Sequence, residues 1–310
     1  MKFLVSGGAG FIGSELCRAL LEAGHELFVY DNFARGRREY VPDGPRATVF
    51  EGDIRDAARV RDFVARVQPH YVVHLAALHY IPDCIARPDE TRAINVDGTQ
   101  HVLDACRASR ELRGVAIASS AAVYAPIAEA CQEETSPLGP CEVYGESKLE
   151  CERLARAFYE QSGVSIASLR IFNAIGPRET NPHVVPHIFE SLKRSDVIPL
   201  GNMSPRRDYI HTRDIASAIV AIAEKARGCS VYNVGSGKAH SVADLVEVLR
   251  AKLGRPIEAR VDADRVRPVD RELLLASVSK IQAEIGWAPR VSFDEALEEL
   301  IDDYGLRKTS

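Results

Sequence analysis

Short apolar segments alternate with stretches of helical period along the chain as far as Phe172. The apolar segments predict strands at 2–5, 26–30, 47–50, 71–77, 114–119 and 165–172. The periodic stretches between them predict helices at 11–23, 57–67, 91–109 and 145–161. Strands that alternate with helices are typical of a parallel sheet with both faces covered. The pattern therefore predicts a doubly wound α/β fold.

The composition changes after Phe172, where the chain becomes rich in Pro, Asn, Gly and Arg. We predict a larger domain formed by 1–172, to which 209–233 returns. A smaller C-terminal α/β domain is predicted mainly from 173–310.

Capping boxes mark two helix starts in this second part. Ser241 with Asp244 opens a helix at 242–253, and Ser292 with Glu295 opens the last helix. Before them the pattern predicts an apolar helix at 214–226 and a strand at 230–235.

The composition narrows the class of protein. The 310 residues are 46% hydrophobic and 27% charged, as in ordinary globular proteins, and the net charge of −5 argues against a nucleic-acid partner. No apolar run approaches the roughly 18–20 residues of a membrane span, and glycines follow the N-terminus too soon for a signal peptide. Seven scattered cysteines without a CxxC pair indicate reduced thiols, so we expect a cytoplasmic protein.

A glycine-rich loop connects the first predicted strand to the first predicted helix. Gly7, Gly10 and Gly13 have the spacing GxxGxxG. Glycines let a pyrophosphate approach the backbone, and the helix N-terminus offers unpaired N–H groups and a partial positive charge. The strand–turn–helix context predicts a dinucleotide site in a Rossmann domain.

Acidic residues at two strand ends refine the choice of dinucleotide. Asp31 ends the second strand, where a carboxylate can accept both ribose hydroxyls and repels a 2′-phosphate, so NAD is favoured over NADP. The arginines at 35–38 either hold such a phosphate or form a solvated loop, and we favour the loop. Asp53 follows the third strand within reach of an adenine amino group, or else caps a helix.

Tyr144 precedes Lys148 by four residues, so both side chains lie on one face of a predicted helix. A nearby ammonium and a cationic nicotinamide both favour a phenolate, so we expect the pKa of Tyr144 to fall. The phenolate would then take a proton from a substrate hydroxyl. Ser120, at the end of the fifth strand, is placed to orient that hydroxyl.

These motifs together resemble the extended short-chain dehydrogenase/reductase family, specifically its nucleotide-sugar epimerases and dehydratases. The resemblance covers nearly the whole chain. The matching segments, in family order, are GGAGFIG (7–13), DN (31–32), HLAA (74–77), NVDGT (95–99), SSAAVY (119–124), YGESK (144–148), RIFNAIGP (170–177) and RDYIHTRD (207–214).

The resemblance implies a catalytic triad of Ser120, Tyr144 and Lys148. It also implies that NAD contacts Gly7, Gly10, Phe11, Ile12, Gly13, Asp31, Asn32, Arg35, Asp53, Ile54, Leu75, Ala76, Ala77, Asn95, Tyr144, Lys148 and Phe172.

Within the family the chain is most similar to UDP-glucose/UDP-galactose 4-epimerases, which hold the substrate diphosphate with an asparagine and two arginines. The matching residues are Asn173, Arg207 and Arg267. The other substrate contacts implied are His79, Ser120, His183, Val184, Leu200 and Asp270. Two arginines on the diphosphate would hold the nucleotide while the sugar turns over. Arg207 has a structural alternative, an ion pair with Asp208 or Asp214.

Departures from the family pattern bear on the reaction. Dehydratases carry Asp-Glu where Ala121 and Ala122 stand, and galactose epimerases carry a lysine at the position of His79. Glucuronate epimerases carry an arginine at the position of Thr180, so an acidic sugar is disfavoured.

Two further patterns resemble ligand sites. His70 with His74 and His183 with His187 have the four-residue spacing of zinc ligands, but the first pair brackets a strand and Pro186 interrupts the second, so we expect no metal. The glycine-containing segment 233–241 is expected to form a turn.

We predict an NAD-dependent nucleotide-sugar 4-epimerase, with a UDP-sugar favoured. An NAD(P)H-dependent 4-ketoreductase of a deoxysugar nucleotide and a non-catalytic dinucleotide-binding regulator are the alternatives. The family also implies a homodimer formed by helices 91–109 and 145–161.

Overall fold

The computed structural model describes residues 1–126, 131–266 and 271–307. The strands are β1 (Lys2–Ser6), β2 (Glu26–Asp31), β3 (Ala47–Glu51), β4 (Tyr71–His74), β5 (Gly114–Ser120), β6 (Cys131–Gln132), β7 (Ser165–Ile171), β8 (Asn173–Ile175), β9 (Val197–Leu200), β10 (Arg206–His211), β11 (Cys229–Val234), β12 (Ala239–Ser241), β13 (Glu258–Val261) and β14 (Leu273–Ala276). The helices are α1 (Phe11–Glu22), α2 (Ala57–Val67), α3 (Ile81–Ala86), α4 (Pro88–Arg92), α5 (Gly98–Cys106), α6 (Val143–Ser162), α7 (Val184–Leu192), α8 (Thr212–Lys225), α9 (Val242–Leu253), α10 (Ser279–Ile285) and α11 (Phe293–Asp303).

Seven strands form a parallel sheet in the order β3-β2-β1-β4-β5-β7-β11. This confirms the predicted doubly wound fold. The chain starts at β1 and winds outward in both directions, so the order reverses between β1 and β4. Ligands of such sheets bind beyond the carboxyl ends of the strands at this reversal.

Side chains along each buried strand point alternately to the two faces of the sheet, so that each face has its own hydrophobic core. Phe3 and Val5 of β1 face α1 and α8, whereas Leu4 faces α2, α5 and α6. All three side chains are almost fully buried. The apolar strands seen in the sequence are therefore covered on both sides, as a parallel sheet requires.

The helix predicted at 91–109 is different in the structure. Helical structure begins three residues earlier with α4, passes through a π-helical turn at Ala93–Asp97, and ends with α5 at Cys106. The Asn95 side chain hydrogen-bonds the backbone N–H and carbonyl of Leu78, at 2.8 and 2.9 Å, from within this turn. A π-turn accommodates one extra residue, and such turns are frequent near functional sites.

The remaining strands build a second layer beyond the large sheet. β12, β10, β14 and β6 form a sheet in that order, β8 pairs with β10, and β9 pairs with β13. Apolar residues of α7, α9 and α11 pack into one core beside them. Both predicted capping boxes are present, at the starts of α9 and α11. No helix among the described residues has the length and apolarity that crossing a membrane requires.

Candidate active site

A cavity of about 1610 Å³ opens at the carboxyl ends of β1, β4 and β5 and extends beneath the second layer. Sites for one drug-sized ligand typically occupy roughly 300–1,000 Å³. The cavity therefore has room for two large ligands side by side.

The glycine loop forms one end of this cavity. Gly7 has φ of 74°, and a Cβ there would lie 2.6 Å from the backbone nitrogen of Ala76. A Cβ on Gly13 would overlap the carbonyl oxygen of Gly7. Gly10 is the N-cap of α1, and no side chain caps that helix. The N-terminus of α1 thus presents backbone donors to the cavity in a turn that only glycines allow.

Asp31 ends β2 and lines the same end of the cavity. Its carboxylate oxygens accept hydrogen bonds from the backbone N–H groups of Ala9, at 3.0 Å, and Phe33, at 2.9 Å. Burial raises the pKa of Asp31 above its usual range, and these two bonds oppose the rise. The carboxylate is therefore held in a fixed orientation at this end of the cavity.

The arginine-rich loop after β2 is paired with carboxylates. Arg35 lines the cavity and forms an ion pair with Asp83. Arg38 pairs with Asp43 at 2.7 Å. This arrangement supports the expectation of a solvated loop more than that of a phosphate clamp.

Asp53, after β3, also lines the cavity together with Asn32 and Ile54. It accepts hydrogen bonds from the Asn32 amide, at 3.0 Å, and from the Arg55 guanidinium, at 2.7 Å. The Arg55 hydrogen bonds hold the pKa of Asp53 far below its usual range. Asp53 is therefore ionised, and Asn32 and Arg55 together donate four hydrogen bonds to its two oxygens.

Ser120, Tyr144 and Lys148 meet near the centre of the cavity. Ser120 is the last residue of β5 and hydrogen-bonds the Tyr144 hydroxyl, whereas Tyr144 and Lys148 lie on α6. Gly145 allows this approach, because a Cβ there would lie 2.6 Å from the carbonyl oxygen of Ala122. Lys148 is 4% exposed and its Nζ donates to the Ala118 carbonyl at 2.9 Å.

The predicted fall in the pKa of Tyr144 is absent in the protein alone. Burial raises this pKa to about 12, and the hydrogen bond with Ser120 opposes only part of the rise. Lys148 Nζ is 5.9 Å from the centre of the Tyr144 ring, and burial lowers the pKa of Lys148. The phenol is therefore the stable form until a further positive charge enters the site.

A buried ionic network lies directly behind the three residues. Ser119 Oγ donates to Glu152 at 2.6 Å, and Glu152 forms an ion pair with Arg170 at 2.8 Å. Arg170 also donates to the Tyr124 hydroxyl at 3.1 Å. The network connects β5, α6 and β7, which are the elements that carry the candidate site.

The predicted cofactor residues all line the cavity except Asn95. Asn95 is 1% exposed, and its amide is engaged by the backbone of Leu78 and by Ser147 Oγ, at 3.0 Å. The expectation of a direct cofactor contact is therefore not met by this conformation. Asn95 instead holds the segment after β4, which contributes Leu75, Ala76 and Ala77 to the wall.

The predicted substrate residues within the described chain also line the cavity. They are His79, Ser120, Asn173, His183, Val184, Leu200 and Arg207. Arg267 and Asp270 lie outside the described residues. Arg207 Nη1 donates to the carbonyl oxygens of Arg206, at 2.9 Å, and Arg271, at 2.7 Å, which fixes the guanidinium at the edge of the second layer.

The carboxylates considered as structural partners of Arg207 bind elsewhere. Asp208 accepts from the backbone of Ser236, Gly237 and Ala276, and so organises the glycine-containing turn of segment 233–241. Asp214 accepts from the backbone near α11. Segment 233–241 therefore contains a turn, as expected, and this turn wraps the Asp208 carboxylate.

The sequence did not indicate that Glu179 lines the cavity. Glu179 lies beside His79 and His183, and its ligand atom lies within 4.8 Å of theirs. Glu179 follows the GPR segment at 176–178. The comparison with glucuronate epimerases concerns only the next position, Thr180. Residues 79 and 179 are 100 apart in sequence, so no local spacing signals their contact.

Three of the four histidines with zinc-like spacing, His70, His74 and His187, contact groups outside any metal cluster. His74 contacts Ser6 Oγ at 2.6 Å and Thr99 Oγ1 at 3.0 Å. His70 accepts from the backbone N–H of Lys2 at 2.9 Å. His187 Nε2 contacts the Pro199 carbonyl at 2.8 Å.

Comparisons with known proteins find similar sequences and structures over nearly the whole chain. The family model described as GDP-mannose 4,6 dehydratase matches residues 4–300. A UDP-glucose 4-epimerase of Corynebacterium glutamicum is 34% identical over 306 residues, covering 93% of this chain and 91% of the relative. The Thermus thermophilus UDP-glucose 4-epimerase, solved in complex with NAD, superposes with a TM-score of 0.88 at 31% identity, covering 98% of this chain and 99% of the other. The Thermotoga maritima UDP-glucose 4-epimerase, solved with UDP-glucose, superposes with a TM-score of 0.91 at 26% identity. The superposition covers 98% of this chain and 99% of the other.

Proposed function

Because the chain belongs to the family of GDP-mannose 4,6 dehydratases and nucleotide-sugar 4-epimerases, we propose that it epimerises a nucleotide-diphosphate sugar at C4 with NAD. The observation that carries this proposal is one cavity that joins the glycine loop to Ser120, Tyr144 and Lys148. Ala121 and Ala122 stand beside these three residues in place of an acid and a base.

NAD fits the residues at the glycine-loop end of the cavity. The loop leaves no space for a Cβ on Gly7 or Gly13, so a diphosphate would meet backbone N–H groups there. Asp31 would accept the ribose hydroxyls and disfavour a 2′-phosphate. When bound, NAD would supply the hydride acceptor and a positive charge that favours the Tyr144 phenolate.

The proton steps fall to this chain's own side chains. Tyr144 would take the proton of the C4 hydroxyl and return it after the sugar has turned. Ser120 would orient the hydroxyl, and the buried ammonium of Lys148 would stabilise the phenolate. Together with the hydride acceptor that NAD would supply, this set would suffice to oxidise C4 and to reduce it again on the other face.

Other reactions of the family need groups that Ala121 and Ala122 do not provide. Dehydration requires an acid at the C6 hydroxyl and a base at C5, and the methyl groups of these alanines supply neither. The pair therefore favours epimerisation over dehydration.

The substrate end of the cavity favours a neutral UDP-sugar. Arg207 and Asn173 would hold the diphosphate, with the other substrate residues lining the space for the sugar. Thr180 stands at the position of the arginine expected for an acidic sugar.

The described cysteines are all free thiols. Reduced thiols are typical of cytosolic proteins, which supports a cytoplasmic location.

The test is incubation of the pure protein with a panel of nucleotide sugars, with products identified by NMR. We expect inversion at C4 without added cofactor, and deuterium placed at C4 should stay there without exchange into solvent. A 4-keto-6-deoxy product would identify a dehydratase. A stoichiometric requirement for NAD(P)H would identify a ketoreductase.

A further inference from the structure

Three potential metal ligands converge on the cavity wall from separate parts of the chain. His79 comes from the segment after β4, Glu179 from the loop after β8, and His183 is the N-cap residue of α7. Their ligand atoms lie within 4.8 Å of one another, and each side chain is partly buried. All three line the cavity.

The surrounding groups orient these ligands. A ring N–H of His79 donates to the Ala77 carbonyl, and Nε2 lies 3.0 Å from the Asn181 amide nitrogen. Glu179 Oε1 accepts from the Asn181 backbone N–H at 2.8 Å and from its side-chain amide at 3.1 Å. Ligating histidines usually have their other ring nitrogen held by a carbonyl or carboxylate in this way.

The ring of His183 is held by aromatic contacts. It stacks on His79 with the ring centres 6.0 Å apart, and Tyr80 meets its edge at 5.3 Å. The imidazole rings of His79 and His183 therefore lie side by side on the cavity wall.

The cluster is rich in acceptors. The amide of Asn181 has two N–H donors, and it faces both the nitrogen of one imidazole and a carboxylate oxygen. Two imidazoles and one carboxylate are a ligand set that divalent transition metals prefer, with further positions left open.

We propose that His79, Glu179 and His183 bind one divalent transition-metal ion of the zinc class, with its open coordination positions facing the cavity. Zinc bonds of about 2.0–2.1 Å place tetrahedral ligand atoms roughly 3.3 Å apart. Ligand atoms that now lie within 4.8 Å of one another would therefore move closer by at most about 1.5 Å on binding. Water or an oxygen of a bound ligand fills the open positions.

The experiment is titration of chelator-treated protein with zinc by calorimetry and with cobalt(II) by visible absorption. We expect one ion per chain and cobalt bands typical of a four- or five-coordinate site. Glu179→Gln and His183→Asn should each weaken zinc binding on the order of 100-fold or more, because each removes a direct ligand. Replacing a residue that only orients a ligand already weakens metal binding by about 10–100-fold. Zinc should raise the melting temperature of the wild-type protein and not that of either variant.

His25→Gln is the matched control, because His25 lies 3.5 Å from the N-terminal amine and offers a separate surface site. It should bind zinc as the wild type does. The proposal is overturned if no saturable binding occurs, if both ligand variants bind as tightly as the wild type, or if only the control loses binding. NAD content and epimerase turnover of metal-free protein, measured in parallel, test the proposed function separately.

Discussion

The substitution Glu152→Gln tests whether the buried network of Ser119, Glu152 and Arg170 holds β5, α6 and β7 in position around the candidate site. Glu152 lies on α6 one turn beyond Lys148, and Ser119 immediately precedes Ser120 on β5. The Glu152–Arg170 pair has side chains only 8% and 4% exposed. Glutamine keeps the shape and one acceptor oxygen, but it leaves the Arg170 guanidinium without its counter-charge.

The expected cost follows from this burial. Removing one partner of a buried ion pair costs about 3–5 kcal/mol, whereas whole domains are stable by about 5–15 kcal/mol. The variant should therefore fold with a melting temperature lower by roughly 10 °C. Turnover should fall more than substrate binding, because Ser119 loses its charged partner next to Ser120, the residue proposed to orient the C4 hydroxyl.

The assay is urea unfolding together with kcat and KM. The matched control is Glu150→Gln on the same helix, whose partner Arg153 is 68% exposed, so this variant should lose at most about 0.5 kcal/mol. If Glu152→Gln is no less stable than Glu150→Gln, the network does not stabilise the fold. If it is destabilised while kcat is unchanged, the network has no part in positioning Ser120.

Tyr144→Phe should lower turnover by on the order of 10²–10⁴-fold and leave NAD content unchanged, and near-normal turnover would refute its role as acid and base. Gly13→Ala should yield protein without bound NAD, because the new methyl group overlaps the Gly7 carbonyl oxygen; wild-type NAD content by absorbance would contradict this. Burial lowers the pKa of His74 from 6.5 to about 3, so the unfolded chain binds the proton first and stability declines as the pH falls below 6.5. Protonation of His74 in the unfolded chain should lower the free energy of unfolding by about 2 kcal/mol at pH 5. His74→Gln should remove that part of the pH dependence, measured by urea titrations at about pH 7 and 5. The protein should be a homodimer by light scattering, and a monomer at micromolar concentration would refute the assembly expected from the family.

Features that depend on neighbouring residues were predictable from the sequence. The glycine loop, the pair of Tyr144 and Lys148, and the two capping boxes each rest on spacing within one turn or helix. The structure places the loop and the pair on the wall of one cavity, although their roles there remain predictions.

Features that depend on long-range contact were not predictable. The π-turn around Asn95 depends on Leu78, and the cluster at Glu179 depends on His79. The raised pKa of Tyr144 results from burial by the whole site, which no spacing along α6 reveals.

Strand β10 connects the strands of the second layer to β8. Its first residues pair with β12 and β14, and Tyr209–His211 pair with Asn173–Ile175 of β8, which follows the large sheet directly. Hydrogen-bonded strand pairs thus connect Arg207, through β10 and β8, to the segment that follows β7 of the large sheet. Under the proposed function, a sugar that turns over would pivot on a diphosphate held by Arg207. The length of the arm between the diphosphate and C4 would then select which substrates can present both faces to the same hydride.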